Sequence, residues 1–126
     1  MRLLLDTHVL LWWATDSDRL DVEIKRVIDE EEHEAFLSAV SSAEMAIKAA
    51  LGKLDIPPGL IGTHPGPGFQ ELPLTSRHAA ALAVLPPLHH DPFDRMLVAQ
   101  AQTEGMVLVT VDPRCRAYDV PVLPTR

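Results

Sequence analysis

The stretch LLLDTHVLLWW, residues 3–13, joins two apolar runs through a single aspartate, Asp6. Residues 2–5 have the continuous apolar character of a short buried strand, and residues 7–16 have apolar side chains at helical spacing. Asp6 and Thr7 are both suitable N-cap residues for that helix. An unpaired carboxylate near a core costs several kcal/mol. We therefore expect Asp6 either to be hydrogen-bonded locally or to lie at an exposed chain reversal with a function.

The same alternation of strands and helices continues along the chain. Further strands are predicted at residues 34–38, 71–75, 106–110 and 120–123, and further helices at residues 21–32, 38–54, 75–85 and 91–105. The last helix has Asp91 as its N-cap and Pro92 at its first position, and it ends at Gly105. The Pro- and Gly-rich stretch 55–69 predicts a loop or one short helical turn. This pattern predicts a three-layer α/β/α sandwich with a mainly parallel central sheet, in a single domain over residues 1–126.

Composition narrows the classes of function. The chain has 126 residues, a formal net charge of -7 and one cysteine, Cys115. The negative charge disfavours a DNA-binding module, whose surface is usually basic, but it suits an enzyme whose acidic site binds cations that meet phosphate. No apolar run approaches the ~20 residues of a membrane-spanning helix, and no signal-peptide pattern follows the N-terminus. One cysteine allows no internal disulfide, which fits a cytoplasmic protein.

Four carboxylates are predicted to lie at one end of the sheet. Asp6 and Asp112 follow predicted strands, whose carboxyl ends meet at the same edge when the strands are parallel. Asp94 belongs to the first turn of its helix, and Glu44 lies about two turns into the helix after the second strand. Clustered carboxylates repel one another unless protons or a cation neutralise them, and oxygen ligands favour Mg²⁺ or Mn²⁺ over Zn²⁺. Such ions serve phosphodiester hydrolysis.

Each of these acidic residues also has a purely structural interpretation. Asp6 is typical of a helix cap, Asp94 of a favourable charge in a first helical turn, and Asp112 of a turn. Glu44 is compatible with one exposed stripe on an otherwise apolar helix. Spacing alone leaves both interpretations open, because it is looser than that of a zinc-binding motif.

Two other groups of residues invite a functional interpretation. His89 and His90, beside Asp91, resemble a metal-ligand cluster, but adjacent histidines do not readily face one ion, so a structural or surface role is favoured. Trp12 and Trp13 could stack on bases, although in an apolar helix they are more typical of a core or an interface.

Four stretches occur in order over nearly the whole chain: LLLDTHVLLWW (3–13), SSAEMAIKAALGKL (41–54), HHDPFDRMLVAQAQTEG (89–105) and LVTVDPRCRAYDVPVL (108–123). Together they resemble the PIN-domain ribonucleases, and most of all the VapC toxins of bacterial type II toxin-antitoxin systems. The resemblance implies a catalytic and metal-binding set of Asp6, Glu44, Asp94 and Asp112. It implies Asp6 and Asp94 as direct Mg²⁺ ligands, with the other two completing the site directly or through water.

Polar and basic neighbours of the acidic positions extend this prediction. The hydroxyls of Thr7 and Thr110 are expected to hydrogen-bond the carboxylates next to them. Several basic residues, among them Lys48, are candidates for contacts to substrate phosphate. Arg95 and Arg114 rank first, because they are adjacent or nearly adjacent to acidic positions in the sequence.

The resemblance implies a Mg²⁺- or Mn²⁺-dependent endoribonuclease toxin that hydrolyses RNA phosphodiester bonds with a metal-activated water. It further implies a single-stranded or looped RNA substrate, a cognate VapB-type antitoxin and a homodimer. Two alternatives stay open: a metal-dependent DNA nuclease or phosphatase on the same carboxylates, and a non-catalytic binding module. A substrate panel separates the first alternative, and the second predicts no effect of Mg²⁺.

Overall fold

A computed structural model describes residues 1–62 and 68–124 of the chain. In this part, five parallel strands form one sheet: β1 (Arg2–Leu5), β2 (Glu34–Ser38), β3 (Phe69–Leu72), β4 (Val107–Val109) and β5 (Val122–Leu123). The helices are α1 (Thr7–Ala14), α2 (Val22–Asp29), α3 (Ala39–Ala50), α4 (Ser76–Ala83), α5 (Pro92–Glu104) and a 3-10 helix (Pro113–Ala117). The predicted α/β fold with a parallel sheet is confirmed.

Side chains that alternate along β1 separate the interior into two cores. Leu3 and Leu5 belong to a core with Ile24 of α2, whereas Leu4 belongs to a second core with Leu97 of α5. Successive residues of a strand point to opposite faces of the sheet, so the two cores lie on its two sides. The sheet is therefore the middle layer of three, which explains why the predicted strands are apolar throughout.

Two departures from the predicted elements stand out, one at β3 and one after Asp112. Strand β3 begins at Phe69, which is buried and pairs with Ala35, and it ends before Pro73, whereas residues 71–75 were predicted. The 3-10 helix that follows Asp112 was not predicted. Residues 55–62 form turns and bends, as expected for a loop, and residues 63–67 of that stretch lie outside the described part of the chain.

The strand order β3-β2-β1-β4-β5 places a topological switch between β1 and β4. The chain leaves β1 toward β2 and β3 on one side, and later returns to build β4 and β5 on the other side. In open α/β sheets, ligands bind in the crevice beyond the carboxyl ends of the strands at this point. Leu5 pairs with Val109, so Asp6 and Thr110 leave neighbouring strands at the same level of that crevice. Within the described residues, no helix is both long and apolar enough to cross a membrane.

Candidate active site

Asp6 ends β1 and caps α1, and its carboxylate is 5% exposed. One oxygen accepts the backbone N–H of Val9 at 2.8 Å, and the other accepts the hydroxyl of Thr110. Burial nevertheless raises the pKa of Asp6, because those hydrogen bonds only partly offset the loss of solvation, and the charge of Glu44 adds to the effect. Asp6 is thus both a helix cap and a destabilised anion.

Glu44 lies on the buried face of α3, with 2% of its surface exposed, so the exposed-stripe interpretation of this residue is wrong. The hydroxyl of Thr7 donates to its Oε1 at 2.6 Å, and the ammonium of Lys48 lies 2.5 Å from its Oε2. The pKa of Lys48 is raised, chiefly by this hydrogen bond. The Thr7 hydroxyl is also 3.0 Å from that of Ser41. Glu44 therefore has its own cation and its own neutral donor.

Asp94 and Asp112 come from different segments and share one histidine. Asp94 lies in the first turn of α5, and Asp112 caps the 3-10 helix. The Nε2 atom of His89 is 3.0 Å from Oδ2 of Asp94 and 3.1 Å from Oδ2 of Asp112. The histidine is 3% exposed, so these three groups form a largely solvent-excluded contact.

The two carboxylates that His89 contacts have opposite electrostatic surroundings. Burial, together with the negative charges of Asp91 and Asp6, raises the pKa of Asp94 to about 6. Hydrogen bonding to the guanidinium of Arg114 lowers the pKa of Asp112 to about 2. The surroundings of Asp112 consequently stabilise its ionised form, whereas those of Asp94 destabilise its ionised form.

The two arginines that the sequence ranked first have different roles. Arg114 pairs with Asp112 at 2.9 Å and is 64% exposed, which leaves its side chain at the rim of the acidic cluster. Arg95 donates to the backbone carbonyls of Pro86 at 2.9 Å and Leu85 at 3.2 Å. These contacts give Arg95 a structural role in place of the phosphate contact predicted from its sequence position.

Sequence reasoning names two further residues of the site, His89 and Lys48, but gives them too little weight. His89 was assigned a structural or surface role together with His90, yet His89 is buried between two carboxylates while His90 is exposed. Lys48 was ranked below the arginines, although it neutralises Glu44 and lies 5.9 Å from the ring centroid of Phe93. Lys48 follows Glu44 by one helical turn, a spacing that indicates an ion pair and was available in the sequence.

Oxygen ligands dominate the cluster, which is the chemistry of a hard divalent cation. His89, Asp94 and Cys115 have potential ligand atoms within 4.8 Å of one another. However, burial raises the pKa of the Cys115 thiol to about 12, so the thiolate that a soft metal requires is scarce at neutral pH. In the described part of the chain, neither Asp6 nor Asp94 forms an ion pair with lysine or arginine. These two residues fit the position of a bound metal.

This geometry defines the class of protein: a parallel α/β fold with an acidic site at the switch point of its sheet. The family model of the PIN domain matches residues 3–121, and the chain belongs to that family. Ribonuclease VapC22 of Mycobacterium tuberculosis is 29% identical over 122 residues, which cover 94% of this chain and 93% of the relative.

Two solved structures resemble the fold. One is FitAcB from Neisseria gonorrhoeae, with a TM-score of 0.69 and 22% identity, covering 95% of both chains. The other is VapBC2 from Rickettsia felis bound to a DNA fragment from its promoter, with a TM-score of 0.68 and 14% identity, covering 97% of both chains. At these identities, the two structures support the fold only.

Proposed function

We propose that this protein is a Mg²⁺-dependent endoribonuclease, with Mn²⁺ as a substitute, and the toxin of a type II toxin-antitoxin system. The proposal takes residues 1–126 as one nuclease domain and Asp6, Glu44, Asp94 and Asp112 as its catalytic set. The name of the relative ribonuclease VapC22 supports the reaction class. The cytoplasm is the proposed location.

The charge balance of the acidic cluster is the observation on which the proposal rests. Glu44 is paired with Lys48, and Asp112 is paired with Arg114. When ionised, Asp6 and Asp94 carry two negative charges, the charge that one divalent cation neutralises, and the pKa of each is raised. A folded protein keeps two such destabilised carboxylates together at a functional site, where a ligand offsets the repulsion between them.

Each residue of the site has a defined task in this proposal. Asp6 and Asp94 hold the ion, and Glu44 and Asp112 complete the cluster directly or through water. When bound, Mg²⁺ neutralises charge on the phosphate and lowers the pKa of a water molecule that can attack it. The hydroxyls of Thr7 and Thr110 fix carboxylate oxygens by donating to them, which leaves the charge of the cluster unchanged.

Substrate phosphate meets the site at its exposed rim. Arg114 reaches the phosphate by turning away from Asp112, because 64% of its side-chain surface is exposed and its pairing with Asp112 is screened by water. Single-stranded or looped RNA is the proposed substrate, since a flexible strand can present its phosphates inside a crevice. Lys48, with 27% of its side chain exposed, is a second cation at the site.

The proposed partner is a VapB-type antitoxin, and the proposed assembly is a homodimer. The similarity in fold to FitAcB and VapBC2 supports an antitoxin partner for this chain. An antitoxin segment that bears arginine or lysine would meet the carboxylates of Asp6 and Asp94 in the crevice. Its binding would therefore compete with the metal.

The direct test is cleavage of end-labelled structured RNAs, beside DNA oligonucleotides of matching sequence, by the purified chain in Mg²⁺, Mn²⁺ or EDTA. Discrete RNA products that require metal and disappear in Asp94→Asn are expected. Asp18→Asn is the matched control, because Asp18 is an exposed aspartate between α1 and α2. Preferred cleavage of DNA would favour the DNA nuclease, and no cleavage without any binding of Mg²⁺ would favour a binding module.

A further inference from the structure

The backbone N–H and both ring nitrogens of His89 all make polar contacts. Its backbone N–H donates to the hydroxyl of Tyr118 at 2.9 Å, and its ring Nδ1 accepts the backbone N–H of Asp91 at 3.1 Å. Its Nε2 lies between the carboxylates of Asp94 and Asp112, at 3.0 and 3.1 Å. Only 1% of the side chain is exposed, so water does not compete for these contacts.

These contacts determine which ring nitrogen bears the proton. A nitrogen that accepts a backbone N–H has no hydrogen of its own, so Nδ1 is unprotonated and the hydrogen is on Nε2. The Nε2–H group then donates to Oδ2 of Asp112 at 3.1 Å, and Nε2 also lies 3.0 Å from Oδ2 of Asp94. A protonated ring nitrogen has no lone pair for a metal, so His89 in this arrangement is a donor to the acidic cluster and not a ligand.

We propose that His89 is a positioning residue whose Nε2–H holds the carboxylates of Asp94 and Asp112 side by side, so that both face the same cation. This role rests on the metal site proposed above. The two carboxylates belong to separate segments, α5 and the start of the 3-10 helix, and as like charges they repel each other. The Nε2–H donates to Asp112 and lies 3.0 Å from Asp94, so it offsets part of that repulsion before any ion binds.

The anchoring of the ring connects it to the helix that bears one of its partners. Asp91 caps α5 through its side chain, accepting the N–H groups of Phe93 at 2.8 Å and Asp94 at 3.2 Å, while its own N–H fixes Nδ1 of His89. The ring is therefore placed relative to the first turn of α5, and through Nε2 it places Asp112 relative to the same turn. Removal of a group that orients metal-binding side chains in this way commonly lowers metal affinity about 10–100-fold.

Two substitutions separate the donor from the bulk of the side chain. In His89→Gln the amide nitrogen reaches about as far as Nε2 does and can donate to both carboxylates, whereas in His89→Asn the shorter amide reaches only as far as Nδ1. We expect the dissociation constant for Mn²⁺, measured by electron paramagnetic resonance, to rise about 10–100-fold in His89→Asn. In His89→Gln most of the affinity should be recovered. His90→Asn, at the exposed neighbouring histidine, is the matched control and should bind as the unaltered chain does.

A second measurement needs no variant and no metal. Nitrogen-15 imidazole spectra of the metal-free, unaltered chain should show His89 protonated at Nε2 and unprotonated at Nδ1. A proton on Nδ1 would overturn the proposal even if His89→Asn failed to fold. Equal Mn²⁺ affinity in the unaltered chain and both His89 variants would overturn the role of His89 alone. Absence of Mn²⁺ binding in the unaltered chain would overturn the metal site and, with it, this role.

Discussion

Replacement of Asp94 by asparagine should stabilise the metal-free protein at neutral pH and abolish its stabilisation by Mg²⁺. The pKa of Asp94 is raised from 3.8 to about 6 because the folded structure buries its charge beside other carboxylates. Two pKa units correspond to about 3 kcal/mol. The side chain keeps 18% of its surface exposed, and screening by solvent reduces the expected gain to about 1–2 kcal/mol. Asparagine has a similar shape and can keep the 3.0 Å contact with Nε2 of His89.

The sign of the effect follows from proton binding. Between pH 3.8 and about 6, the folded protein retains a proton on Asp94 that the unfolded chain has already lost. Raising the pH through this window therefore favours the unfolded state, and the destabilisation is complete above the folded pKa. Since other carboxylates such as Asp112 act in the opposite direction, the informative quantity is the difference between the two chains at each pH. The advantage of Asp94→Asn should be absent below pH 3.8 and should reach its full value above about pH 6.

Thermal and urea unfolding in EDTA would measure this difference. The midpoint of Asp94→Asn should be roughly 3–8 °C above that of the unaltered chain at neutral pH. Mg²⁺ at about ten times its dissociation constant should add about 1.4 kcal/mol to the unaltered chain and little to the variant. Asp18→Asn should change neither quantity. A metal-free Asp94→Asn protein that is no more stable than its parent, or that Mg²⁺ still stabilises, would refute the reasoning.

Three other substitutions test the cationic side chains in and beside the site. Arg114→Ala should raise KM for RNA several-fold and leave the free energy of unfolding nearly unchanged, because the side chain is mostly exposed; steady-state kinetics and urea unfolding check this. Arg95→Ala should lower the free energy of unfolding by about 1–3 kcal/mol, since two backbone carbonyls lose their donor, and should leave Mn²⁺ affinity unchanged. Lys48→Met should destabilise the metal-free protein by about 1–2 kcal/mol and enlarge the increase in melting temperature that Mg²⁺ produces, because Glu44 loses its cation.

The elements that sequence predicted best are those whose local signals agree with their tertiary surroundings. Strand β1 is a continuous apolar run that ends at a capping aspartate, and both signals survive because the strand is central and buried on two faces. The start of β3 was missed because Phe69 directly follows a Pro- and Gly-rich stretch, and its burial against β2 is a tertiary effect. The 3-10 helix was missed because Asp112 and Pro113 are equally typical of a turn.

The charges of Asp6 and Glu44 both raise the pKa of Asp94, so these three carboxylates lie near one another, while their role as a metal-binding set stays a prediction. Their positions depend on strand ends and on the first turns of helices, which sequence indicates well. The errors in the predicted site concern contacts between segments that are distant in sequence, and the direction in which a helical side chain points. His89 contacts Asp112, which is 23 residues later in the sequence, and no periodic pattern in the sequence predicts that contact. Arg95 follows Asp94 in sequence, but consecutive residues of a helix point about 100° apart, so Arg95 reaches the Leu85–Pro86 turn and not the acidic cluster.

The kinds of donor around the carboxylates explain how the cluster can keep its affinity for a cation. The hydroxyls of Thr7 and Thr110 and the Nε2–H of His89 are neutral donors, and they stabilise anions without cancelling their charge. Lys48 and Arg114 cancel charge, but each is paired with one of the other two carboxylates, Glu44 or Asp112. If cations stood in place of these three neutral donors, their charges would neutralise the carboxylates. The cluster would then not favour binding of a metal ion. The pattern that leaves Asp6 and Asp94 destabilised is therefore the same pattern that favours a divalent cation between them.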